Sequence, residues 1–301
     1  MGDRTAELAQ SITWAGSKQT YFTGRLMVDK DLVSDFNRAY AYFRWSDDMV
    51  DASSLSADER ISFINQQSEL IDRLYNHDRP DNLTAEEEIL ADLISNDRGD
   101  NSGLQSFIRN MFAIIEFDTH RKDCLITKSE LEWYTNRLAI SVTDGLHYFV
   151  GNGNPYPVTD KRYSAALGAH ITHLLRDMCQ DTEDGFINIP REYLEAQNIS
   201  QDDMSNHLYR DWVRNRVVLA REYFREGKLY LNELGNLRIK IVGFWYCARF
   251  ESVLDTIERD GYILRPDYDE RGKISTWLKI AWLGVTVTLR HFARRIFQFQ
   301  V

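Results

Sequence analysis

The sequence predicts an all-α protein, and three observations predict it. Apolar residues return every three to four positions through most of the 301-residue chain, no stretch sustains the apolar/polar alternation of a half-buried strand, and the breaks are short and rich in helix-stopping residues. The periodic segments run over 30–52, 56–77, 84–96, 103–119, 127–150, 159–184, 203–233, 235–260 and 273–298. The second ends at NHDRPDN around Pro80, the third at NDRGDNSG near Gly99, the fifth at GNGNPYP over 151–157, and the sixth at GFINIP, which closes on Pro190. None of these breaks is long enough to be a linker, no period repeats and no tract is of low complexity, so one domain over 1–301 is expected.

A hydrophobic share of 43%, with 12% aromatic residues, is enough for one large core. Lys and Arg number 36 against 46 Asp and Glu, and the net charge of −10 opposes a phosphate backbone, which argues against a nucleic-acid partner. Cys124, Cys179 and Cys247 are far apart, show no metal-type spacing and cannot all pair within one chain, which fits a reducing cytoplasm. The opening MGDRTAELAQSITWAG has no apolar signal core, and Ala6 stands where a myristoylation signal needs Ser or Thr, so neither export nor a lipid anchor is expected. Near the C-terminus, WLKIAWLGVTVTL is interrupted by Lys279 and falls short of the roughly 20 apolar residues of a membrane span, so a buried helix is expected there. The basic amphipathic stretch that follows, RHFARRIF over 290–297, fits either the solvated face of a terminal helix or peripheral contact with anionic lipid.

Charge inside the apolar segments is what points to chemistry. On a helix, Tyr40, Arg44, Asp47, Asp48 and Asp51 share about a third of the circumference, while Phe36, Tyr42, Phe43, Trp45 and Met49 form an apolar side. In HITHLLRDMCQDTEDG, His170, His173, Asp177 and Asp181 fall on one stripe, and Asp177 and Asp181 repeat the D-x-x-x-D spacing of Asp47 and Asp51. Like charges four apart repel, and burying them calls for a cation, which a divalent metal would supply. Carboxylate pairs suit Mg²⁺, which keeps several waters and bridges to substrate phosphates. An apolar, helix-walled cavity with such ions at its mouth suits a ligand with a charged head and a long hydrocarbon tail, a prenyl diphosphate. A solvated acidic face is the competing reading of either pair alone. A di-iron carboxylate bundle would need Glu-x-x-His, which occurs at none of the seven histidines.

The motifs resemble the squalene/phytoene synthase family of head-to-head prenyl transferases, over roughly residues 15–275. GSKQTYFTGRLM is similar to the family's opening H-S-K-x-F-Y, YAYFRWSDDMVD to its first aspartate motif, LLRDMCQDTEDGFINIPREYL to its second, and FESVLDTIERDGYILR to its late segment. The resemblance implies an isoprenoid synthase-type helical bundle around a central cavity. It also implies that Asp47, Asp51, Asp177 and Asp181 hold Mg²⁺ ions on the diphosphates of two prenyl chains, one of which ionises and is attacked by the other. Ser17, Lys18, Tyr21, Arg44, Asp48, His170, His173, Arg176 and Arg265 fall at substrate-binding positions, and Tyr134 beside the reacting carbons. Asp118 aligns with a family acid and is read as structural. NADPH-using and non-reductive members share these motifs.

Several positions depart from the family pattern. His170 and His173 replace neutral amides with groups that can titrate near neutral pH. Asp184, Gly185 and Phe186 stand for R-G-R, removing positive charge near the second motif. Ile140 and Thr143 replace two glycines on the central helix, Phe250 a tyrosine, and Gly16 the opening histidine. These changes crowd around the second substrate's expected surroundings and spare the four aspartates. They leave three readings: head-to-head condensation, ionisation of a single prenyl diphosphate for cyclisation or transfer to another acceptor, and a non-catalytic assembly protein.

Overall fold

The computed structural model describes residues 2–52, 54–151, 155–268 and 282–292. Its helices are α1 (Gly2–Gly16), α2 (Lys18–Met27), α3 (Val33–Asp51), α4 (Ala57–Tyr75), α5 (Ala85–Ser95), α6 (Gly103–Arg121), α7 (Lys128–Phe149), α8 (Ser164–Glu183), α9 (Arg191–Gln197), α10 (His207–Glu233) and α11 (Leu237–Arg259), with a 3-10 turn at Lys30–Leu32. Residues 282–292 are also helical. Among the described residues the only ladder pairing is an isolated parallel bridge between Leu125 and Ile187, so the all-α expectation holds.

The chain divides into two compact units, one of Met1–His120 with Asp144–Asn154, the other of Arg121–Thr143 with Pro155–Val301. In the first, α1, α3 and α5 pack on one another. α1 meets its neighbours through small side chains, since Thr5, Ala9 and Thr13 lie one turn apart and are buried. The Thr5 hydroxyl donates to Asp92 on α5 at 2.6 Å, and the Thr13 hydroxyl reaches the Asn37 carbonyl on α3 at 3.3 Å. Asp35 and Arg38 form a buried ion pair at 2.7 Å, and Asn96 donates to the same carboxylate at 3.0 Å. Tyr42 donates to Gln67 at 3.0 Å, and Gln67 to Glu87 at 2.7 Å, so a polar relay ties α3, α4 and α5. Ser56 with Glu59, and Thr84 with Glu87, close capping boxes on α4 and α5.

In the second unit α8 packs on α10 and α11. Glycine makes the α8–α10 approach close: a Cβ on Gly227 would stand 2.5 Å from the Ala165 nitrogen, and one on Gly168 2.9 Å from the Ala220 carbonyl oxygen. Val213, Val217, Ala220 and Phe224 bury the inner side of α10. The segments before α7 and after α8 run side by side. The Asp123 amide donates to the Gly185 carbonyl at 2.8 Å, and the Arg191 amide to the Ile126 carbonyl at 2.8 Å. Gly185, at φ +91°, adopts a backbone that favours glycine, and Asp123 fills the space where a Cβ would go.

The sequence pattern and the structure differ in three places. The pattern gives no sign of α1, α2 or α9. Helix α8 begins at Ser164 rather than 159. Of the expected segment 273–298, positions 273–281 and 293–298 lie outside the described residues, and within 282–292 the expected burial fails: Trp282, Val285 and Leu289 are exposed. Gly284, Val287 and His291 are its buried positions, so the helix seats a narrow side and turns its bulk outward.

Candidate functional site

Helix α3 places the first acidic group. Tyr42, Phe43 and Ser46 are buried, which turns Asp47, Asp48 and Asp51 to the accessible side. Arg44 grips Asp48 across one turn, with Nε to Oδ2 at 3.1 Å and Nη2 to Oδ1 at 2.6 Å. Asp47 keeps solvent contact but is crowded by protein, and this burial, reinforced by Asp51, Asp48 and Asp118 and opposed by Arg44, pushes its carboxyl up to about 6. Asp118 on α6, read from the sequence as structural, adds the smallest of these contributions to the charge around Asp47. Asp118 lies 71 residues from Asp47 in the sequence, so spacing alone does not bring the two together. An acidic group with this excess of negative charge fits a divalent cation in donor chemistry. Among the described residues no three His, Cys, Asp or Glu side chains stand together as a metal-holding group.

At the start of α2, the Ser17 hydroxyl is the N-cap, accepting from the Thr20 amide at 3.1 Å. Lys18 lies over the Trp14 ring at 5.4 Å, and Tyr21 meets Trp14 edge-on at 5.0 Å while accepting from Gln10 at 3.1 Å. Ser17 is thus occupied in holding the helix, whereas Lys18 and Tyr21 belong to an aromatic patch. Gly16 has a steric reason: a Cβ there would stand 2.8 Å from the Tyr40 hydroxyl, which fills the space a histidine would enter.

Helix α8 carries the second acidic group, in the other unit. Asp177 is clamped by the Arg176 guanidinium and by His173 Nε2 at 3.2 Å. Asp181 accepts from Asn188 Nδ2 at 2.7 Å. His170 is buried, with neither ring nitrogen hydrogen-bonded, between Tyr134 at 5.1 Å and a stacked His173 at 6.4 Å. Burial first, then the charges of His173, Arg216 and Arg121, hold the His170 imidazole well below its usual range. His173 is lowered too, by burial and by Arg176 and Arg249, with Asp177 opposing. Both rings are neutral near pH 7, which corrects the expectation that they titrate there. Tyr134 is itself buried.

Phe186, where the family has a basic residue, lies under Arg121 at 5.2 Å and Lys122 at 5.9 Å. Cationic charge therefore reaches this place from the end of α6 rather than from the turn itself. Arg265 pairs with Asp260, just past the end of α11, at 2.6 Å. Phe250 is buried against Tyr246, with ring centroids 5.1 Å apart. Ile140 and Thr143 are partly or fully buried along α7, and Asp184 caps α8 while accepting from Gln180 at 3.0 Å. Asn188, which holds the Asp181 carboxylate, was missed by sequence reasoning, because nothing distinguishes it from an ordinary turn asparagine.

Comparison with known proteins agrees with these motifs. The sequence pattern described as squalene/phytoene synthase matches residues 15–277. The 15-cis-phytoene synthase of Synechocystis sp. is 29% identical over 196 residues, which cover 60% of this chain and 58% of that one. The 15-cis-phytoene synthase of Synechococcus elongatus is 25% identical over 138 residues, covering 44% and 43%. The matched part thus spans less than two thirds of either relative. Among solved structures, squalene synthase HpnC from Alicyclobacillus acidocaldarius superposes with a TM-score of 0.70 at 19% identity, covering 87% of this chain and 95% of that one. A dehydrosqualene synthase in complex with ligand gives 0.70 at 16%, covering 97% and 98%. At such identities the likeness is one of fold.

Proposed function

Because the chain belongs to the squalene/phytoene synthase family, we propose that it is a Mg²⁺-dependent prenyl transferase that joins two prenyl diphosphates head to head into a squalene- or phytoene-like product, with release of diphosphate. The observation that carries this reading is the pair of D-x-x-x-D groups, each on an otherwise well-packed helix, with Asp47 pushed up by burial and then by its acidic neighbours. Asp47 with Asp51, and Asp177 with Asp181, are the side chains that would hold Mg²⁺, which when bound neutralises the leaving diphosphate. Arg44, Lys18 and Arg176 add fixed positive charge for the diphosphate oxygens. Asn188 and His173 hold the Asp181 and Asp177 carboxylates in place, and the neutral His170 can donate a hydrogen bond without adding charge. Tyr134, buried beside His170 with the Arg121 guanidinium 5.0 Å from its ring centre, is the aromatic side chain proposed to stand near the reacting carbons, by its position in the family motif. We place this activity in one domain over 1–301, in the cytoplasm, with peripheral contact to a membrane surface.

Purified protein incubated with Mg²⁺ and a series of prenyl diphosphates tests the reading. Diphosphate release and a product of doubled carbon count are expected, and no release from any chain length would overturn it. Adding NADPH and comparing products decides between reductive and non-reductive outcomes.

The replacement of the family's basic turn by Asp184, Gly185 and Phe186 favours a second reading. In it one prenyl diphosphate is ionised and then cyclised or passed to a non-prenyl acceptor. A product with the carbon count of a single substrate would select it.

A further inference from the structure

The helical residues 282–292 turn their apolar side outward. Trp282, Val285, Leu289 and Phe292, at steps of three, four and three, are 71, 49, 65 and 52% exposed and so form one strip along the helix. The opposite side is seated by packing: a Cβ on Gly284 would come within 3.1 Å of the Trp245 ring on α11, and Val287 and His291 are buried. The facing of the strip is therefore fixed by contacts behind it. Four large apolar side chains aligned on an exposed helix mark a surface that meets something.

Charge names the partner. From Arg271 to the last residue the sequence holds six Lys and Arg and no acid, whereas residues 1–270 carry a net charge of −16. Arg290 is exposed next to Leu289, at the edge of the strip. Trp, Leu and Phe on one side of a helix with arginine at the flank is the composition of a helix lying in the headgroup layer of an anionic bilayer. The acidic remainder of the chain would be repelled by such a surface, which confines contact to this face. A second copy would instead set like-charged segments against each other. Among the described residues no helix is long and apolar enough to cross a membrane, so the contact suited to this strip is with the bilayer surface.

We propose that Trp282, Val285, Leu289 and Phe292, flanked by Arg290, dock the protein onto the surface of an anionic membrane. This specifies the membrane contact of the functional reading and is separable from the chemistry, because an inactive protein would still bind. The test is co-sedimentation of the full chain with vesicles of phosphatidylcholine and phosphatidylglycerol in equal parts, or of phosphatidylcholine alone. Expected are binding to the anionic vesicles, weak binding to the neutral ones, and loss of binding in about 0.5 M NaCl. Leu289→Ser with Phe292→Ser should lower partition about tenfold while melting temperature and diphosphate release from dispersed substrate stay at the wild-type level. Should that variant misfold, quenching of Trp282 by brominated lipid, read as the difference between wild type and Trp282→Phe, gives the same information. Binding to neither vesicle, equal binding to both, undiminished binding of a folded double variant, or absence of Trp282 quenching would each overturn the proposal. So would a dimer that the double variant dissolves.

Discussion

Asn188 Nδ2 donates to Asp181 Oδ2 at 2.7 Å across the turn that follows α8, and Asn188 is 1% exposed. The amide orients one carboxylate of the second acidic motif from a fixed, buried position. Asn188→Ala is expected to raise the Mg²⁺ concentration for half-maximal diphosphate release by about tenfold while leaving saturated turnover largely intact. A Mg²⁺ titration of activity beside a melting curve separates this from a packing effect, which would lower the melting temperature and leave the titration midpoint where it was.

Asp47 gives a pH prediction. Its folded carboxyl, pushed up to about 6, lies above the ordinary aspartate value of 3.8, so the folded state binds the extra proton between those values. The associated stability is fully present at low pH and is lost as pH rises through 6. Asp47→Asn should therefore raise the melting temperature of the metal-free protein at pH 7.5 and change it little near pH 4. Because Asp47 keeps solvent contact, about 1 kcal/mol is a fair size for the gain at pH 7.5. Mg²⁺ should stabilise the wild type at pH 7.5 and not the variant, which scanning fluorimetry with and without chelator would read.

Arg44 and Asp48 are each about half exposed, at 49 and 56%. A pair so placed contributes about 0–1 kcal/mol to stability, so Arg44→Ala should melt close to wild type. If the guanidinium instead meets the diphosphate, turnover falls by about 100-fold. Steady-state kinetics and urea unfolding of the same preparation check both halves of this expectation.

A Cβ on Gly227 would stand 2.5 Å from the Ala165 backbone nitrogen, whereas nothing lies within 4 Å of a Cβ on Gly235. Gly227→Ala forces α8 and α10 apart and should cost about 1–3 kcal/mol. Gly235→Ala should stay within about 0.5 kcal/mol of wild type. Urea midpoints of the two variants give the comparison.

The long helices were legible because their buried sides are built from Leu, Ile, Val, Phe and Trp, as on α10, where burial and periodicity coincide. Helix α1 was not, because its buried stripe is Thr5, Ala9 and Thr13, which carries little hydrophobic contrast and is held partly by hydroxyl groups. The helix over 282–292 misled for the opposite reason: apolar composition implied burial, but only its small and medium side chains pack inward. Within the site, the two aspartate groups and their shared faces could be read from spacing alone. Asp118 and Asn188 could not, since their roles come from folding distant or turn residues against a motif, and the neutrality of His170 and His173 depends on burial that spacing does not encode.

Arg121 and Lys122 rest on the face of Phe186, so the stretches flanking α7 and α8 are joined in part by cations over a ring. The Arg121 contact is buried and acts at close range where mobile counter-ions reach poorly, whereas Lys122 is exposed and open to screening. In strong brine, where the Arg44–Asp48 clasp fades, this fastening would hold, and the turn carrying Gly185 would keep its shape.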